Sequence, residues 1–308
     1  MNKGLADQFS HLIPPTVADQ ERAISEGMIA VDTDVLLTLY LYSSNAREHL
    51  MSALANVSGR LWLSHQAALE FHRHRLLIID DRGRSYNDAM TALKAYDAAT
   101  QRATDQIRAF ANRIGMATED KDRLVGFLTP DIDSANQMIR DLESEREDFD
   151  PTTGDPILRR LESIFSGRVG EPYDADSHEQ AINEAKRRID NRIPPGYSAA
   201  AKDDATGDYL QWDQTLNEAA TQKPRYLLLV TGSLKVDWVL RVRGRTLGPR
   251  PELALEAQQR ADCKLVIINI SQFLVLVSNY SHTQVSNATL EEGARIAESV
   301  QELRKRLG

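Results

Sequence analysis

Cysteine is nearly absent from this chain: Cys263 stands alone among 308 residues. A disulfide within the chain and a thiolate metal cluster are both excluded, which fits a reducing cytoplasm. Cys263 precedes the run Lys264-Leu265-Val266-Ile267-Ile268, where a small buried hydrophobe is its expected role. Long hydrophobic stretches are also missing, and the longest apolar runs are far too short to span a bilayer. The N-terminal residues 1–20 are polar, unlike a secretory signal. Nor is positive charge in excess. The 37 Lys and Arg face 45 Asp and Glu, a formal net charge of −8, so bulk electrostatics does not coat this protein in nucleic acid. A nuclease stays open, because its active site is itself acidic and a local basic rim can hold phosphates. No internal repeat or low-complexity tract is present.

What is there is an ordinary globular composition, 42% hydrophobic and 27% charged, long enough to bury a full core without staples. Residues 28–31, 60–63, 226–231 and 264–268 read as strands. Three of these are nearly all apolar, as strands covered on both faces are. Helical patterns separate them, which predicts an α/β fold with a mostly parallel central sheet flanked by helices. Right-handed crossovers then align the strand C-termini along one edge. The middle shows no strand. It has helical periodicity over 86–113 and 132–147, with breakers at Thr129-Pro130, Asp150-Pro151 and Gly154-Asp155-Pro156. We expect residues 1–85 and 191–308 to build the core and 86–190 to form a large α-helical insertion. A separate helical domain fits the same pattern. The acidic run 141–150 reads as a solvated helix face or end. Asn191-Arg192-Ile193-Pro194-Pro195-Gly196-Tyr197 is turn-rich, a polar loop follows over 198–207, and helix resumes near Asp208.

Acids punctuate the strand ends. Met28-Ile29-Ala30-Val31 stops at Asp32-Thr33-Asp34, and ligands collect at the carboxyl edge of parallel sheets. Asp32 is the first candidate; a helix N-cap is its bland alternative, and Asp34 can share either duty. Glu70 falls within the second turn of a helix beginning near Ser64, beside Ala67 and Phe71. A salt bridge to Arg73 or His74 is the alternative there. Asp208 follows Gly207 at another helix start, where glycine allows a ligand close. The strand Tyr226–Thr231 ends in Thr231-Gly232-Ser233, whose hydroxyls and backbone suit a phosphate, with Lys235 to neutralise it and Asp237 one turn on.

Taken together, Asp32-Thr33-Asp34-Val35-Leu36-Leu37, Glu70 with Phe71 and Arg75, Ile193-Pro194-Pro195-Gly196-Tyr197, Gly207-Asp208 with Trp212, and Val230-Thr231-Gly232 with Asp237-Trp238 resemble the PIN-like nucleases, specifically large bacterial members with a helical insertion. The resemblance implies metal-dependent phosphodiester cleavage, usually of RNA, with Mg²⁺ or Mn²⁺ held by three or four carboxylates. Asp32, Glu70 and Asp208 match the first three acids. The sequence departs from the pattern at Asp34, usually asparagine or serine, and at Ser233, where a fourth acid is usual. Asp34 is the residue that could restore the lost charge.

Substrate grip requires cations, and Arg73, Arg75, Lys235 and the run Arg241-Val242-Arg243-Gly244-Arg245 offer them; a solvated loop is the alternative for that run. Trp238 and Tyr209 are stacking candidates, though core positions suit them as well. His65, His72 and His74 lack the spacing of a zinc site. RNA is the expected partner ahead of DNA, with no membrane, and the insertion offers a surface for a second copy or a protein partner. Toxins, RNA-processing enzymes and phage-defence effectors would share this pattern. Two other readings compete. Ser233 fits a degenerate PIN-like module that binds RNA or protein without cutting. Asp32, Asp34 and Thr231 also fit a haloacid-dehalogenase-like phosphatase, but the run 264–268 is followed by Asn269-Ile270-Ser271, without the acid pair that chemistry needs.

Overall fold

The computed structural model describes Gly4 and residues 8–127, 132–144, 154–199, 205–281 and 285–307. Thr129-Pro130, Asp150-Pro151, the far end of the acidic run and the centre of the 198–207 loop lie outside these residues. In chain order the elements are α1 (Val17–Glu26), β1 (Met28–Val31), α2 (Thr33–Thr38), α3 (Ser44–Asn56), β2 (Leu61–Trp62), α4 (His65–Arg113), α5 (Thr118–Gly126), α6 (Ile132–Ser144), α7 (Pro156–Ile164), α8 (Ala175–Asp190), α9 (Gly207–Gln222), β3 (Tyr226–Thr231), β4 (Val239–Val242), β5 (Arg245–Pro249), α10 (Pro251–Ala261), β6 (Lys264–Asn269), α11 (Ile270–Ser281) and α12 (Asn287–Leu307).

All residues of β1 and β3 are buried, which is why their sequences carry no polar alternation. The sheet is parallel throughout, in the order β2-β1-β3-β6. Ile29 pairs with Leu61 on one side and Leu228 on the other, and Leu228 pairs with Val266. One face sends Met28, Ala30, Leu227, Leu229, Leu265 and Ile267 into a core shared with α8, α9 and α10. The opposite face is covered by α1 and α11. Each large apolar side chain sealed between these layers contributes about 1.5–3 kcal/mol. The chain leaves β1 towards β2 on one side, and leaves β3 towards β6 on the other. The crevice between the carboxyl ends of β1 and β3 is therefore the topological switch point of the sheet.

β2 is short, but Leu63 continues it. Its N–H donates to Arg168 O and its carbonyl accepts from Gly170 N, both at 2.9 Å, so the segment after α7 extends that edge. An element absent from the sequence reading is the antiparallel hairpin β4–β5. Arg243 and Gly244 both have positive φ, 49° and 78°, the pattern of a two-residue type I′ turn. The basic run Arg241–Arg245 is thus a solvent-exposed hairpin tip.

The chain divides into two compact units, residues 1–78 with 155–308, and residues 79–154. The second unit contains the later part of α4 with α5 and α6. Sequence periodicity suggested separate helices after Ser64 and over 86–113; they are one helix of 49 residues. Residues 155–190, which the pattern alone placed with the insertion, belong to the first unit. There Asp155 caps α7 through Leu158 N, Pro156 occupies its first turn, and Ala181 and Ala185 of α8 enter the core.

Candidate active site at the carboxyl edge of the sheet

Asp32 occupies the N-cap position of α2, yet its side chain makes no cap hydrogen bond. Its carboxylate instead accepts from Thr231 Oγ1 at 2.8 Å, across the switch point, while Asp32 N donates to Val230 O at 2.9 Å. The end of β3 thus fixes both backbone and side chain of the first acid. Thr231 Oγ1 in turn accepts from Ser233 N at 3.2 Å, which folds the chain after β3 back over Asp32. Asp34, one position into the helix, is 2% exposed and packs on Gly232. A Cβ at Gly232 would lie 2.7 Å from Asp34 Cβ, so only glycine admits α2 at this distance.

Glu70 reaches the same region from α4. Ser64 caps that helix through Ala67 N at 3.0 Å, as its sequence position suggested. Thr33 Oγ1 donates to Ala67 O at 3.2 Å and joins α2 to α4. Gln214 Oε1 accepts from Gln66 N at 2.9 Å and joins α4 to α9. Glu70 itself is 7% exposed and accepts from Gln66 Nε2 at 2.9 Å. His74 bonds the Glu70 backbone carbonyl, with Nδ1 at 2.8 Å. A Cβ built on Gly207 would overlap Glu70 Oε1. The close approach that Gly207 permits is therefore to Glu70 of the same chain, at the N-terminus of α9, where a carboxylate is favoured by the helix dipole.

Asp208 follows in the first turn of α9 and is held by Lys235. The ammonium lies 2.7 Å and 2.8 Å from its two carboxylate oxygens. The two side chains are only 16% and 17% exposed. Burial by itself lowers the Lys235 pKa, but attraction by Asp208, Asp32 and Asp34 together with the hydrogen bond to Asp208 reverses this and raises it. One lysine thus sits in the combined field of acids from two separate segments, with Glu70 beside Gly207 next to Asp208.

Other predicted residues have different partners. Asp237 is fully buried and accepts from Gly196 N at 2.9 Å, Ser198 N at 3.0 Å and Ser198 Oγ at 2.7 Å. It anchors the Pro194-Pro195-Gly196-Tyr197 turn, whose Pro-Pro bond is cis. Arg75 pairs with Asp155 at 2.9 Å, and Tyr40 donates to the same carboxylate at 2.6 Å. Arg73 is exposed on α4, and Ser233 is half-buried on the loop after β3. Trp212 and Trp238 meet edge to face in the core, 5.9 Å apart, and Tyr209 carries the Arg188 guanidinium 4.5 Å above its ring. These aromatics are packing residues. Gln66 and Gln214 were not among the residues expected at the site. Only Gln66 carried a local signal, standing four residues before Glu70 on one helix face. A cavity of about 270 Å³ lies elsewhere, between residues 10–15 and the Pro249, Pro251 and Cys263 region. Burial pushes the Cys263 thiol up to about 12, so it is inert packing.

A parallel sheet flanked by helices, with Asp32 at its switch point, is the architecture of a nuclease-type α/β domain. The chain belongs to the PIN-like domain family: the family model described as PIN like domain matches residues 28–253, from the first residue of β1 into α10. Members are generally nucleases and typically use Mg²⁺ or Mn²⁺. Neither a search of curated proteins nor one of solved structures returned a match. Among the described residues no group of three or more His, Cys, Asp or Glu side chains is placed to hold a metal ion. The donor chemistry still suits a hard divalent cation: every candidate ligand is a carboxylate, and a stand-in cation, the Lys235 ammonium, already sits on Asp208. Among the described residues no helix is long and apolar enough to cross a membrane.

Proposed function

We propose that this chain is a metal-dependent nuclease that cuts phosphodiester bonds, with RNA as its substrate. The observation that supports the reading is the Lys235 ammonium held on Asp208 at 2.7 Å, within the field of Asp32 and Asp34 at the switch point, with Glu70 against Gly207. Asp32, Glu70 and Asp208 would hold Mg²⁺ or Mn²⁺, and Asp34 would supply the charge that Ser233 does not. Such an ion, when bound, supplies Lewis acidity and neutralises charge at the scissile phosphate. The chain's own groups prepare the site. Thr231 orients the Asp32 carboxylate, Gln66 orients Glu70, and Gly207 lets Glu70 close on α9. The exposed Arg243 and Arg245 at the β4–β5 tip, with Arg73 on α4, supply cations for the substrate backbone. Arg241 ties that hairpin to the site loop by donating to Leu234 O at 2.7 Å.

The test is incubation of purified protein with labelled single-stranded RNA, DNA and a phosphomonoester, in Mg²⁺, Mn²⁺ or EDTA. Metal-dependent cleavage of RNA, lost in Asp32→Ala and Asp208→Ala, is the expected result. A second reading draws on the engagement of Asp208 by Lys235 and on Ser233: a module that binds RNA without cutting it. Binding without turnover, with cleavage gained in Ser233→Asp, would select it. The phosphatase reading wants an acid pair at the end of β6, where the chain has Asn269, which accepts from Gln272 N at 2.9 Å.

A further inference from the structure

We propose that Lys235 is an exchangeable counter-cation: its ammonium and a divalent metal ion compete for Asp208, so metal loading requires Lys235 to swing away. This rests on the nuclease reading and adds how the site is kept and opened. Three observations carry it. The ammonium contacts both Asp208 oxygens, at 2.7 Å and 2.8 Å, which takes up the carboxylate that a metal would need. Its backbone, in contrast, is pinned. Lys235 N donates to Ser233 O at 3.0 Å, and Lys235 O accepts from Trp238 N and Val239 N at 3.1 Å each. Only the flexible four-carbon stem is left to move, and lysine offers a point charge on such a stem where arginine offers a rigid fork. Finally, Asp32 and Asp34 attract the same ammonium that Asp208 holds, so the negative charge that would draw a doubly charged ion is the charge that now retains Lys235. A lysine serving only to fasten α9 to the loop after β3 would not couple to metal.

The test measures Mn²⁺ binding to wild type, Lys235→Met and Lys235→Arg by calorimetry, with melting curves in EDTA and in Mn²⁺. Removing the competitor should tighten Mn²⁺ binding about tenfold or more in Lys235→Met, since the metal-competent fraction rises. The same variant should melt below wild type in EDTA and recover in Mn²⁺. Lys235→Arg, which keeps the charge, should bind Mn²⁺ no tighter than wild type. The wild-type chain gives an independent readout. Reductive methylation followed by peptide mass spectrometry should label Lys235 severalfold faster with Mn²⁺ than in EDTA. Equal Mn²⁺ affinity in wild type and Lys235→Met, or unchanged Lys235 labelling, overturns the exchange and leaves the metal site standing. Failure of every protein to bind Mn²⁺ overturns both the exchange and the nuclease reading.

Discussion

Replacing Gly207 by alanine should disable the site while leaving the fold nearly intact. The added Cβ overlaps Glu70 Oε1 and lies 3.3 Å from Gln66 Nε2. Both clashing atoms are ends of flexible side chains, so Glu70 can retreat, by about 1 Å, without moving backbone. Overpacking of about 1–3 kcal/mol is then largely relieved, and alanine returns up to about 1 kcal/mol of helix propensity. Net stability should change by no more than about 1 kcal/mol, read by urea unfolding. If Glu70 serves the proposed nuclease site, displacing its carboxylate by about 1 Å should cost roughly a hundredfold in the rate of RNA cleavage with Mn²⁺. Gly232→Ala is the comparison. There the new Cβ meets Asp34 Cβ at 2.7 Å and its backbone C and Cα at 3.5 Å and 3.7 Å, so α2 itself must shift. That variant should lose about 1–3 kcal/mol of stability as well as activity. Full cleavage by Gly207→Ala would refute the role given to Glu70. A stability loss as large as that of Gly232→Ala would refute the claim that only a side chain yields.

Other consequences can be checked separately. Glu256 accepts from Arg188 at 2.7 Å and 2.9 Å and from Trp212 Nε1 at 2.9 Å, so Glu256→Ala leaves the Arg188 guanidinium to Glu184 and Pro194 O and the Trp212 donor without its acceptor, and should cost about 1–3 kcal/mol in urea unfolding. Burial opposes the Asp19 carboxylate, but hydrogen bonds from Lys264 and Thr16 outweigh it and lower its pKa to about 2. Its stabilisation is complete above the ordinary value of 3.8 and disappears as pH falls through 2. Asp19→Asn should therefore flatten the acid limb of stability by about 1 kcal/mol, after discounting for solvent screening. If Arg243 and Arg245 grip phosphate, the Arg243→Ala/Arg245→Ala pair should reduce the salt-dependence slope of RNA binding by roughly 1 to 1.5. An unchanged slope would assign the hairpin tip to solvent.

The sheet was legible because its strands are sealed on both faces: Met28–Val31 and Tyr226–Thr231 are unbroken apolar runs that admit few other readings. The hairpin was not, because Val239–Val242 mixes buried and exposed residues and Arg243-Gly244 is an uncommon turn pair. Residues 155–190 read as helix but carry no local sign of which layer they join; Ala181 and Ala185 are too small to announce a core face. Among the candidate site residues, Asp32 and Asp208 could be picked out by their place at a strand end and a helix start, and Glu70 by the motif it forms with Phe71 and Arg75. Their partners could not. Lys235 finds Asp208 27 residues away, and Asp237 finds Ser198 39 residues away, pairings that only the folded chain creates. Glycines 207 and 232 looked like openings for a ligand, whereas each accommodates an acid of the chain itself.

Anomalous diffraction from crystals soaked in Mn²⁺ addresses the central claim most directly. The account predicts a manganese peak bound by Asp32 and Asp208 with Glu70 turned towards it, and the Lys235 ammonium withdrawn from Asp208. Saturating Mn²⁺ with no peak among these carboxylates, and Lys235 still seated on Asp208, would contradict it.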